Sequence, residues 1–135
     1  MLGLNLWYEI GYKITTIPGH TRNSIRPFYG NRFYVSDVHS KEGYQAIGPA
    51  SRRARPAWPS VVMEVGSSEA LEFLRLDAKW WLINSAGNTR FVMLVQLMTD
   101  PFGIHIRGSQ TADSPRFKEV ACSSRTMNWK NELRY

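Results

Sequence analysis

Cys122 is the only cysteine among 135 residues. No internal disulfide can form, and a zinc site built on cysteines is excluded. Histidine is also scarce: His20, His39 and His105 have no metal-ligand spacing, which argues against a histidine zinc site. Cys122 has no histidine at a spacing that marks a cysteine nucleophile, and no Walker loop, G-x-S-x-G or G-x-G-x-x-G stretch occurs. Long apolar runs are missing too. The longest, Phe91 to Val95, stops at Gln96, well short of the roughly 18–20 residues that span a bilayer. The N-terminus MLGLNLWYEIGYK has neither a basic leading segment nor a long apolar core, so it does not read as a signal peptide. These absences predict no membrane association and an intracellular setting, cytoplasmic or nuclear, and a lone cysteine agrees with a reducing compartment.

Acidic residues are the minority: 11 Asp and Glu face 17 Lys and Arg, for a net charge of +6. Residues 1–60 hold 8 basic against 3 acidic side chains, net +5, and residues 61–135 hold 9 against 8, net +1. Such an excess attracts polyanions, and DNA or RNA is the candidate partner, although a solvated basic surface has the same composition. Arg52, Arg53 and Arg55 form a cluster in this half. It is a candidate phosphate contact or nuclear import signal, with an exposed loop as the plain alternative. What the chain does have is apolar: 43% hydrophobic and 13% aromatic residues fit one globular domain over residues 1–135 that buries a core.

Residues 4–17 mix aromatic and β-branched residues around Gly11 and read as a strand pair or a bent strand, closed by Pro18-Gly19. Residues 19–32 read as loop, Arg32 to Val38 as a strand, and residues 39–60, with three prolines, as a long connection. Val61 to Val65 is the clearest strand, apolar except for Glu64. Val62 and Glu64 fall on one face, and Val61, Met63 and Val65 on the other. Gly66 ends the strand, and Ser67 or Ser68 is the candidate cap of a helix over 68–83. Leu71, Leu74, Ala78, Trp81 and Leu82 make its apolar face, with Glu72, Arg75 and Lys79 on one flank, Asp77 off the core and Trp80 nearly opposite Trp81. Asn84 to Asn88 is a turn with Gly87 suited to a left-handed cap, and residues 90–98 are a second buried strand. Strands 61–65 and 90–98 joined by helix 68–83 predict a right-handed βαβ unit within an α/β domain that has a small mixed sheet. Phe102 to Ile106 is a further candidate strand, and residues 107–135 are expected to form a loosely structured tail.

Glu64 raises the functional question, because a carboxylate on a buried strand is costly unless it is paired or holds a metal. Arg75 and Lys79 are candidate partners in the first case. For the second, the WPSVVMEVG strand, the LRLDAKWWL helix and the NSAGNTRFVMLVQL turn and strand resemble a family of fungal proteins within the PD-(D/E)XK nuclease-like superfamily. The resemblance covers residues 58–97 of the chain. It implies a restriction-endonuclease-like mixed sheet, one or two bound Mg²⁺ ions and hydrolysis of phosphodiester bonds. That chemistry calls for carboxylates holding a hard cation and for a positive group near the developing charge.

On this resemblance Glu64 is the candidate Mg²⁺ ligand and catalytic carboxylate. The lysine usually found two residues later is replaced by Gly66. A related bacterial branch carries its lysine on the next helix, which makes Lys79 the candidate catalytic cation and Arg75 the second. The upstream acidic position matches Tyr44 in the stretch Glu42 to Pro49. Tyrosine is a poor Mg²⁺ ligand, so Glu42 becomes the candidate second metal ligand and Asp37 a remoter one. Three expectations remain: a Mg²⁺-dependent nuclease, a catalytically inactive nuclease-like module that binds nucleic acid or protein through its basic first half, and a truncated or degenerate gene product.

Overall fold

The computed structural model describes residues 6–28, 32–52, 57–67, 70–99, 102–111 and 117–126. In chain order the elements are α1 (Leu6–Ile14), a 3₁₀ turn (Arg22–Ser24), β1 (Ile25–Pro27), β2 (Phe33–Ser36), β3 (His39–Lys41) and β4 (Gln45–Pro49). They continue with β5 (Val61–Ser67), α2 (Leu71–Asn84), β6 (Phe91–Thr99), β7 (Phe102–Thr111) and β8 (Phe117–Thr126). Six strands form one sheet in the order β1-β4-β5-β6-β7-β8, and β2 and β3 form a separate hairpin. β5 and β6 are parallel, with Glu64 opposite Leu94, and the other neighbours in the sheet are antiparallel. The architecture is therefore mixed α/β, with a strand, helix and parallel strand at its centre. Among the described residues no helix is long and apolar enough to cross a membrane.

Several local expectations are corrected. Residues 6–14 are helical rather than extended. Trp7, Ile10, Gly11 and Ile14 recur at helical spacing and are the buried or half-buried positions, while Tyr8, Glu9, Tyr12 and Lys13 are exposed. The β-branched Thr15 and Thr16 follow the helix and end it, their hydroxyls donating to Tyr12 O and Lys13 O. The expected loop 19–32 contains β1, and the expected connection 39–60 contains β3 and β4. β5 runs on through Gly66 to Ser67, and α2 begins after Ala70 with no side-chain cap. Of the tail expected to be loose over 107–135, residues 107–111 belong to β7 and 117–126 to β8, while 112–116 and 127–135 lie outside the described residues. The expected strand over Phe102 to Ile106 is the first half of β7; the other strands were hidden because polar residues carry no alternating apolar pattern, yet their backbone groups pair with a neighbouring strand.

Strand alternation divides the core between the two sheet faces. On the α2 face Val62, Val92 and Leu94 pack with Leu74, Ala78, Trp81 and Leu82, and with Phe28, Phe33, Ala46 and Trp58. The aromatic members interlock: Phe33 lies 5.2 Å from Trp58 and 5.3 Å from Trp81, and Trp80 lies 5.2 Å from Trp81. On the other face Met63 and Val95 are buried, with Ile10 of α1 packed against them. The turn between α2 and β6 is tied to the start of β5. Thr89 Oγ1 donates to Pro59 O at 2.8 Å, and the Thr89 amide donates to Ser85 Oγ at 2.9 Å. Gly87 takes the left-handed conformation expected of it, with φ 78°.

Candidate functional site

β5 is held between β4 and β6, and its alternation turns Glu64 toward α2. Only 7% of the residue is exposed. Trp81, fully buried one layer above, donates its indole N–H to Glu64 Oε1 at 2.7 Å. The backbone N–H of Tyr44 is a second donor to the same carboxyl. That contact depends on Gly43. A Cβ at position 43 would stand 2.8 Å from Val62 Cγ1 and 3.5 Å from Trp81 Cζ2, so only glycine lets the chain between β3 and β4 cross this close to the strand.

Two charged groups complete the surroundings. Lys41 Nζ forms an ion pair with Asp77 Oδ1, and both act on Glu64, the lysine favouring its charged form and the aspartate opposing it. Burial is the dominant influence and raises the Glu64 pKa from 4.5 to about 7; Asp77 adds to the rise, and the Trp81 bond, Lys41 and the Tyr44 amide oppose it. The carboxyl is therefore close to half protonated at neutral pH.

The candidate residues divide. Glu64 is at the centre, on the face that alternation assigned to it. Lys79 is exposed. It lies two positions from Asp77, about 200° around the helix, so a helix that turns Asp77 toward Lys41 turns Lys79 away. Arg75 is two positions from Asp77 in the other direction, and its Nη1 donates to Glu72 Oε1 at 2.6 Å. Glu42 is exposed, and its neighbour Lys41 is the half-buried residue that pairs inward. Asp37 is exposed in the turn between β2 and β3. Tyr44 supplies its amide while its side chain is exposed. Arg52 Nη1 donates to Trp58 O at 2.8 Å; Arg53 and Arg55 lie outside the described residues. Among the described residues, no three His, Cys, Asp or Glu side chains gather where they would hold a metal.

Gly66 has a physical explanation. A Cβ there would stand 3.1 Å from Ala70 Cβ and 3.2 Å from both δ carbons of Leu74. The start of α2 occupies the space a lysine would need, and the cation near Glu64 comes instead from β3. Sequence reasoning missed Lys41, which lies 23 positions upstream with no motif around it. It set Asp77 aside, although Asp77 and Trp81 are four residues apart and share a helix face. Compared with protein-family models, with curated proteins and with solved structures, the chain matches none.

Proposed function

We propose that this chain is a nuclease-like module without metal-dependent catalysis, and that it binds DNA or RNA through its basic first half, in a cytoplasmic or nuclear setting. The observation that carries the reading is that the polar groups around Glu64 are matched within the protein. Trp81 and Tyr44 donate to the carboxyl, Lys41 neutralises Asp77, and burial draws Glu64 toward its neutral form. Resident Mg²⁺ calls for ionised oxygen ligands and keeps several waters. A half-protonated carboxyl with 7% exposure, beside one acid already paired, does not fit that requirement. The acidic centre then serves to fix α2 and the 42–44 crossing against β5. Binding of a polyanion is supported by the net +5 of residues 1–60 and by the exposure of Lys13, Arg22 and Arg32.

A second reading, Mg²⁺-dependent phosphodiester hydrolysis, is favoured by one observation: Glu64, Asp77 and Lys41 form a single electrostatic cluster of two carboxyls and an ammonium. Incubation of supercoiled plasmid and single-stranded RNA with Mg²⁺, beside Glu64→Ala, separates the two. The proposal expects no cleavage that the substitution removes, together with DNA or RNA binding that weakens steeply between low and moderate salt. Mg²⁺-dependent nicking lost in Glu64→Ala establishes the second reading. Binding that is absent at low salt removes the nucleic-acid part of the first.

A further inference from the structure

On the sheet face opposite Glu64 a cleft of about 300 Å³ opens between α1, β1, β4 and the first residue of β5. Its walls are almost wholly aliphatic: Ile10, Ile14, Ile17, Ile25, Ile47 and Val61. We propose that this cleft binds a small amphipathic anion, a medium-chain carboxylate, with its hydrocarbon chain among the isoleucines and its head group at His20.

Size, lining and charge lead to that class. An aliphatic cavity of roughly 150 Å³ already binds benzene, so this cleft takes a hydrocarbon of about twice that size. Its volume lies at the lower end of the range for ligand sites. The residues with polar side chains in the lining are His20, Ser24 and Ser60, and no carboxylate belongs to it. The elements around the mouth carry the exposed cations Lys13 and Arg22 against a single acid, Glu9. Arg22 is laid along α1, its Cγ 3.6 Å from the Cβ position of Gly11 and its guanidinium 5.8 Å from the centre of the Tyr8 ring. An anionic head group is favoured at such a mouth and a cationic one is repelled. The rim is also built rather than loose. The Ile17 amide donates to Ile14 O at 3.0 Å, and the His20 amide donates to Ile17 O at 3.1 Å, which fixes Ile17 and His20 relative to α1.

The site owes nothing to the acidic cluster across the sheet, so its test is independent of nuclease activity. The full chain, labelled at isoleucine methyl groups, is titrated with decanoate below its micelle concentration and, separately, with decyltrimethylammonium and decanol. Decanoate is expected to shift the methyls of the lining isoleucines in a saturable way and to bind about tenfold tighter than the cation. Ile17→Trp, at a half-exposed position of the wall, fills the cleft and weakens decanoate by about tenfold or more, with its circular dichroism and thermal midpoint confirming the fold. His20→Ala reduces the preference for the anion and leaves decanol binding in place. Val38→Ser, at an exposed turn away from the lining, changes neither. Equal affinity for anion and cation, unsaturable shifts spread over other methyls, or unaltered binding in folded Ile17→Trp would each overturn the proposal.

Discussion

Glu64→Gln isolates the effect of burying an ionisable group beneath α2. In the folded protein the carboxyl titrates at about 7, against 4.5 for an ordinary glutamate. Between those two values the folded chain retains a proton that the unfolded chain has released. Stability falls with rising pH wherever the folded state binds more protons. The contribution of Glu64 is thus fully present below pH 4.5 and is lost as pH rises through about 7. The gap corresponds to about 3 kcal/mol, at about 1.4 kcal/mol for each tenfold change in proton affinity. With 7% of the residue exposed, solvent screening removes little of it. Glutamine keeps an oxygen to accept from Trp81 and Tyr44 but cannot ionise. Urea denaturation of both proteins from pH 4.5 to 8 is the assay. The two are expected to be of similar stability at pH 4.5, with the variant more stable at pH 8 by an amount approaching 3 kcal/mol. Subtracting the curves cancels every other titrating group. Parallel curves, or a variant less stable than the wild type at pH 8, would refute the reasoning.

Trp81→Phe removes the indole donor from Glu64, and the cost, about 1–3 kcal/mol for an unsatisfied buried acceptor plus lost packing, is greater at pH 8 than at pH 5, as urea midpoints at the two pH values will show. Lys41→Met raises the Glu64 titration midpoint seen by carboxyl-carbon NMR, because a cation that favours its charged form is lost. Lys79→Met leaves that midpoint in place and changes stability by no more than about 0.5 kcal/mol, since the side chain is exposed. Gly43→Ala drives a methyl to within 2.8 Å of Val62 Cγ1 and lowers the unfolding free energy by about 1–3 kcal/mol in urea titrations.

The stretch 61–98 was legible because burial on both faces of a parallel strand and helical periodicity leave strong marks in sequence. Val61 to Val65, the apolar face from Leu74 to Leu82, and the second strand all fall where those marks placed them. α1 was misread because Trp, Tyr and Ile serve strands and helices alike, and because Gly11 looked like a break rather than a buried position of a helix. The start of β7 was legible in the alternating Phe102, Ile104 and Ile106, whereas β4, β8 and the polar end of β7 lack such a pattern and are defined by their partner strands. At the acidic site the central carboxylate was visible as an anomaly in an apolar run. Its cationic neighbour was not, since a lysine on a three-residue strand differs from any surface lysine until tertiary contacts form.

The order of strands also dictates how the molecule assembles. β6, β7 and β8 are neighbours both in sequence and in the sheet, so this meander closes over short spans of chain and loses little loop entropy. The β5–β6 ladder has to wait for a whole helix to be threaded between its strands, and the pairing of β1 with β4 joins segments some twenty residues apart. The contacts of Glu64 with Trp81 and with the 42–44 crossing close longer loops than the turns of the meander do. If they form after the meander, damage to them raises the unfolding rate and leaves the folding rate nearly unaltered.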